Sequence, residues 1–210
     1  MPTSRTDETA PNRKRGRGAD PARTRQALTD AAFDTLRAEG FRGATARAIA
    51  ARAGCNQAAI YYHFQGIQPL LIASLQASSA RRLVHYRRLL GGVTDPATAL
   101  ARLDELHAED VASGHLTVLA ELVGGITAEP DLRPGLTEAV GPWLEFVADT
   151  IRNATDSFPW AASLPAGDVA DMIFSLILGM ELQTKLDGDA DRFSRLMNMG
   201  RLVVAVLPAR

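Results

Sequence analysis

Between residues 45 and 64 the chain gathers side chains suited to gripping a nucleic acid: Thr45, Arg47, Asn56, Gln57, Tyr61, Tyr62 and His63. Arginine can bond the edge of guanine and glutamine the edge of adenine, whereas tyrosine and histidine suit phosphate oxygens. Such groups read DNA only when a rigid element carries them into a groove. The residues between them predict one. Ile49, Ala50 and Ala53 fall on one face at helical spacing, behind a Thr45 that can accept a hydrogen bond from a free backbone N–H. Gly54 can take the left-handed conformation that ends a helix in a sharp turn. Asn56 caps a second helix, in which Ile60 and Phe64 form an apolar stripe and Gln57, Ala58, Tyr61, Tyr62 and His63 are left on other faces. The spacing therefore predicts a helix-turn-helix, whose second helix puts its N-terminal part into the major groove.

From about Thr24 to Leu71 the sequence resembles the TetR family of bacterial transcriptional repressors. The resemblance is carried by Ala31-Ala32-Phe33 and Glu39-Gly40-Phe41 in the first helix and the turn after it, and by Ile49-Ala50, Ala53-Gly54 and Ile60-Tyr61-Tyr62-His63-Phe64. Taken with the chemistry, it implies that Arg47 and Gln57 contact base edges and that Tyr61 and His63 bind phosphate. Tyr62 does either, and Thr45, Asn56 and Ala58 complete the DNA-facing set. The match breaks at Ile67, where the family usually has a phosphate-holding lysine, and at Pro69. Free N–H groups at that helix start remain able to hold a phosphate.

Charge divides the chain. Residues 1–90 hold 15 Lys and Arg against 6 Asp and Glu, whereas residues 91–210 hold 8 against 18. A basic front half suits a polyanion, and an acidic rear half argues against the whole chain coating DNA. Residues 1–19 are polar and rich in Pro and Gly, which predicts a disordered arm. Its Arg13, Lys14, Arg15 and Arg17 resemble the Arg-Gly-Arg core of an AT-hook, with Gly18 in place of proline. Two roles fit: insertion into an A·T-rich minor groove, or a tether that grips phosphates without reading sequence.

The remaining elements are predicted to be helices, giving an all-α fold. Asp20-Pro21 starts the first, which runs to Glu39 and buries Leu28, Ala31, Ala32 and Leu36, with Phe33 and Phe41 closing a three-helix core. A fourth helix runs from Ile67 to about Leu90; its Arg81, Arg82, Arg87 and Arg88 either add to the DNA-facing field, form a solvated face or meet the acidic rear half. Gly91-Gly92 and Asp95-Pro96 then break the chain. Helices follow at about 96–112, 115–128, 135–156, 167–186 and 189–207, separated by Gly114, Pro130 with Pro134, Phe158-Pro159 to Pro165, and Asp187-Gly188. The expected organisation is an arm at 1–19, a DNA-binding domain with connecting helix at 20–90, and a helical domain at 91–210.

In that rear domain the resemblance implies an effector cavity, for which His107, Leu119, Leu122, Trp143, Phe146, Met172 and Leu176 are candidates. Glu121, Thr117 and Gln183 are further polar candidates near it. The last two helices are apolar over more than a narrow stripe, as helices are that are wholly buried or meet a partner. Gly179 permits close approach, and the resemblance adds that two such helices per subunit form a four-helix dimer interface, here including Ile173, Ile177, Met180, Met199 and Val203. A dimer is also what reading a palindromic operator in double-stranded DNA requires. No cofactor is expected. His107 and His115 flank Glu109 and Asp110, but Gly114 separates them and no metal-ligand spacing results. Neither a Gly-rich phosphate loop nor a recognisable nucleophile motif points to an enzyme.

Cys55 is the single cysteine, expected as an apolar plug in the turn, so a reducing compartment is anticipated. Val169–Leu182, the most apolar run, contains Asp171 and Glu181 and is too short for a bilayer. A polar N-terminus adds to the expectation of a cytoplasmic protein without membrane contact. Two functions fit this pattern: a homodimeric repressor released from DNA by a small, largely apolar effector, and a dimeric DNA-binding regulator with no effector.

Overall fold

Pro21 can open the first helix because its missing N–H would have had no partner there, and the Asp20 carboxylate accepts from the Ala22 N–H at 3.1 Å. The computed structural model describes residues 20–93, 96–153, 163 and 165–206, and every element among them is helical. The arm with Arg13, Lys14, Arg15 and Arg17, the Asp95 start and the side chain of Val203 lie outside the described residues.

Helix α1 (Pro21–Gly43) buries Leu28, Ala31, Ala32 and Leu36, and its regular part ends as expected near Glu39, because Gly40 breaks it at φ 70°. Helix α2 (Ala46–Ala53) starts with the Ala48 N–H donating to Thr45 Oγ1 at 3.2 Å. Gly54 stops it at φ 69°, ψ 30°, a conformation that any side chain would strain. Helix α3 (Ala58–Phe64) opens with the Ala59 N–H donating to Asn56 Oδ1 at 3.0 Å. Ile49, Ala50, Ile60 and Phe64 all point inward.

Helix α4 (Ile67–Leu90) joins the two parts of the molecule. Beyond it come α5 (Pro96–Ser113), α6 (His115–Gly125), a 3-10 turn at Pro130–Leu132, α7 (Arg133–Asn153), α8 (Ala166–Asp187) and α9 (Arg192–Val206). Gly114, at φ 76°, separates α5 from α6. Helix α6 is shorter than predicted. Helix α7 begins before Pro134, which sits in the first turn, where a proline costs no hydrogen bond. Helix α9 starts three residues later than predicted, because Asp187 and Asp189 instead receive Arg192 and Arg195 from its first turn.

One apolar core runs through both parts. Leu28 and Leu36 of α1 belong to the same buried cluster as Leu70 and Leu75 of α4, Val118 and Leu122 of α6, and Leu132. Each such side chain contributes roughly 1.5–3 kcal/mol on burial, so the DNA-facing helices and the rear helices are held as one unit. A satellite cluster of Met180, Phe193 and Met197 ties α8 to α9 against Leu100 and Leu103 of α5.

The sequence pattern placed Phe41 in the three-helix core alone, but it also reaches across to α6. A Cβ on Gly125 would come within 2.7 Å of its ring. Its N–H donates to Glu121 Oε2 at 2.9 Å, while Lys185 of α8 donates to Glu121 Oε1 at 2.9 Å. Burial pushes the Glu121 carboxyl up, but Lys185 and the Phe41 N–H outweigh it and hold the group below its ordinary value. Glu121 is thus a pin joining α1, α6 and α8 rather than a cavity group.

Candidate nucleic-acid interface and effector cavity

The first site is the outer surface of α2 and α3. Arg47, Thr45, Asn56, Gln57 and Ala58 are exposed, and Tyr61 and Tyr62 stand 58% and 80% exposed. Side chains that far in water gain little from folding and are free to meet a partner outside the chain. His63 is half-buried, its ring edge-on to Tyr62 with centroids 4.9 Å apart. Beneath them Arg25 of α1 donates to the His63 carbonyl at 2.5 Å and lies over the Phe64 ring at 4.0 Å. Arg25 therefore fixes the C-terminal end of α3, a role that the sequence pattern had not revealed. Ile67 is half-buried at the start of α4, packed against the core and not presented to a phosphate. Cys55 packs against the same core, and burial pushes its thiol up.

The second site is a cavity of about 250 Å³ enclosed by α4 to α9. Its wall is almost wholly apolar: Leu75, Leu103, Leu119, Phe146, Val147, Ile173, Phe174 and Ile177 all face it. One side carries polar groups. The Tyr86 hydroxyl donates to Asp110 Oδ2 at 2.6 Å, and the Arg82 guanidinium pairs with Asp110 and, at 3.7 Å, with Glu109. His115 Nδ1 lies 3.0 Å from Ser78 Oγ. Burial, with Arg82 and Arg81 close by, drives the His115 imidazole down to about 4, so it is neutral at physiological pH. Burial likewise pushes the Tyr86 phenol up to about 12. Tyr86 and Trp143 meet edge to face at 4.9 Å, and His107 stacks on Phe193 at 3.7 Å.

The third feature is an apolar surface on the last two helices. Met172, Leu176 and Leu186 on α8 are 62%, 46% and 86% exposed, and Met199 and Leu202 on α9 are 65% and 70% exposed. Gly179 lies on the α8 face with Met172 and Leu176, and an added Cβ there would meet nothing.

The family described as bacterial regulatory proteins, tetR family, matches this chain at residues 28–73, which span α1 to the start of α4. An HTH-type transcriptional regulator of Pseudomonas putida, TtgW, is 33% identical over 90 residues, 42% of this chain and 67% of its own length. The chain belongs to the TetR family. SrpR, another HTH-type regulator of Pseudomonas putida, is 26% identical over 137 residues, covering 65% of this chain and 63% of its own length, so the match spans just under two thirds of that relative. The crystal structure of FadR from Bacillus subtilis in complex with stearoyl-CoA shares the fold at 18% identity, with a TM-score of 0.67 over 86% of this chain and 97% of that one. TetR-family chains are regulators and not enzymes.

Against this TetR-type framework, the rear-domain candidates sort differently from the sequence expectation. His107, Leu119, Trp143 and Phe146 do line the cavity. Leu122 does not; it is fully buried in the main core. Met172 and Leu176, expected on the wall, project into solvent from a face of α8 about 100° round, whereas Ile173 and Ile177, expected at a dimer interface, form the wall. Met180 is core, and Met199 is exposed. Among the further polar candidates, Thr117 donates to Glu181 at 2.9 Å and Gln183 is exposed. Of the α4 arginines, Arg82 turns to the acidic α5 and not to DNA. The polar side of the cavity, where Tyr86 and Asp110 reach the wall with Arg82 paired to Asp110 behind them, was not singled out in the sequence. Its one trace there is a run of basic residues on α4 matched by Glu109 and Asp110 on α5. No cluster of three metal-ligating side chains occurs among the described residues, and none of their helices is long and apolar enough to cross a membrane.

Proposed function

We propose that this chain is a homodimeric repressor that binds a palindromic double-stranded DNA operator through α3 and leaves it when a small, largely apolar effector enters the cavity. The observation that carries this reading is the coexistence, in one continuous core, of an exposed recognition surface and an enclosed apolar cavity sharing α4 and α6. Ligand pockets are typically apolar enclosures with few polar groups, and this one fits. That FadR of Bacillus subtilis holds stearoyl-CoA in the same fold supports an effector role for the rear domain. Arg47 and Gln57 would meet base edges, and Tyr61, His63 and Tyr62 the backbone or sugars, with Thr45, Asn56 and Ala58 lining the approach. The basic arm at 13–17 would add phosphate or minor-groove contacts. Such a role places the protein in the cytoplasm with its DNA.

A ligand that swells the cavity pushes on α4 and α6, and through Phe41 and Glu121 on the helix-turn-helix, so it favours a dimer whose recognition helices no longer match adjacent major grooves. Linkage then requires operator to weaken effector binding by the same factor. Selection of binding sites by the full chain from random duplex DNA should yield two-fold symmetric sequences with half-sites about 10 base pairs apart or a multiple of it. On the selected site Gln57→Ala should cost about 1–3 kcal/mol, with little loss on random DNA. Equal losses on both, or no enriched sequence, would overturn the reading.

A further inference from the structure

An open cleft of about 790 Å³ lies where the end of α3 and the start of α4 face the 3-10 turn and α7. Its floor is the contact between Gly135 of α7 and Ile72 of α4, so close that a Cβ on Gly135 would come within 2.8 Å of that side chain. The charges around it are unbalanced. Arg25 lines it, but its guanidinium is already engaged by the His63 carbonyl and the Phe64 ring. Asp131 and Glu138 line it from the rear domain. Both are exposed, and neither has an ion pair or a side-chain hydrogen bond among the described residues. Glu129 adds a third carboxylate, which accepts from Gln68 Nε2 at 3.3 Å. Bare carboxylates beside the last turn of a DNA-facing helix repel phosphates, and a cation laid over them would relieve that repulsion.

The chain carries such cations on a short tether. A helix rises about 1.5 Å per residue, so Asp20, where the arm joins α1, stands roughly 8 Å along the axis from Arg25 on the cleft. An extended chain spans at most about 3.6 Å per residue, which keeps Arg17 within about 11 Å of Asp20 and Arg13 within about 25 Å. Arg13, Lys14, Arg15 and Arg17 are therefore concentrated at the cleft whose free charges are acidic.

We propose that, off DNA, the basic arm of this chain lies in the cleft with its cations on Asp131 and Glu138, and that duplex DNA must displace it. The cleft then competes with phosphates for the same cations, which weakens binding to random DNA, where phosphate contacts supply essentially all of the affinity. This needs only that the chain binds DNA, and it stands or falls independently of the effector cavity.

The test uses the full chain, whose lysines are Lys14 in the arm and Lys185, which is held by Glu121. A water-soluble carbodiimide joins an amine to a carboxylate with no spacer, so it links only groups that meet. At low salt it should couple Lys14 to Asp131 or Glu138 within one chain, a product identified by peptide mass spectrometry. Saturating random duplex should suppress that link several-fold. A second measurement reads binding. Asp131→Asn with Glu138→Gln should raise affinity for random duplex about fivefold, the order expected from releasing two exposed ion pairs. Because losing two carboxylates also lessens repulsion of DNA, the same pair is introduced into a chain carrying Arg13→Gln, Lys14→Gln, Arg15→Gln and Arg17→Gln. There the gain should shrink to less than about twofold, and the difference between the two gains is the coupling of arm to cleft. The proposal is overturned if Lys14 couples to neither carboxylate, or if the link persists unchanged on DNA. It is equally overturned if the link forms only between two copies of the chain, or if both arm backgrounds gain alike.

Discussion

His115 shows how one buried side chain can set the pH range in which this protein is stable. Its imidazole is 3% exposed, bonded to Ser78, and lowered to about 4 from an ordinary value of 6.5. Between those two values the unfolded chain takes up a proton that the folded chain refuses, so stability must fall as pH drops through that window and is fully present above 6.5. The loss amounts to about 3 kcal/mol by pH 4, at 1.36 kcal/mol per unit. Urea unfolding at pH 7, 6, 5 and 4 should show this decline, and His115→Gln, which cannot titrate, should flatten it. A wild-type profile that is level from pH 7 to 5 would contradict the burial of a neutral imidazole. The same neutrality keeps the cavity free of a cationic wall at working pH. His107, also lowered by burial, acts in the same direction.

Elements differ in how far their neighbours are written into them. The caps of α1, α2 and α3 were legible because each depends on residues within three positions: Asp20 with Pro21, Thr45 with Ala48, and Asn56 with Ala59. The faces of α8 were not. Successive residues on a helix are rotated by about 100°, so reading Met172 and Leu176 instead of Ile173 and Ile177 as the cavity face is an error of one residue. Because α8 is apolar nearly all round, periodicity alone does not choose between two such faces; only the helices packed against it do. The pin at Glu121 was unreadable for a related reason, since its partners lie 80 and 64 positions away. Its two bonds should contribute unequally. Lys185 and Glu121 are each about a third exposed, and an ion pair there is worth less than about 1 kcal/mol. Loss of the acceptor for the partly buried Phe41 N–H costs about 1–3 kcal/mol. Glu121→Ala should therefore lower stability by clearly more than Lys185→Ala in chemical unfolding. Equal effects of the two substitutions would mean that the Phe41 bond contributes little.

For the whole molecule, the unsettled surface is the apolar side of α8 and α9. A chain whose interior already accounts for Ile173, Ile177 and Met180 has no internal use for Met172, Leu176, Leu186, Met199 and Leu202, all of which reach water. Exposed apolar side chains concentrated on two helices suit a surface that meets a partner. A second copy is the partner that also solves the recognition problem, because one short α3 covers too few base pairs for a specific site. The exposure of these residues makes the test clean. Leu176→Glu and Met199→Glu place a carboxylate where the single chain is solvated, so the fold should survive, whereas in a dimer the same carboxylates would be buried without partners. Sedimentation should show a dimer for the wild type at micromolar concentration and a folded monomer for the double variant, with circular dichroism unchanged. That monomer should lose operator specificity yet keep weak, salt-sensitive binding to any duplex, since its basic front half is intact. A double variant that remains dimeric would move the interface elsewhere on the molecule, and a wild type that is monomeric yet binds a palindrome tightly would remove the need for one.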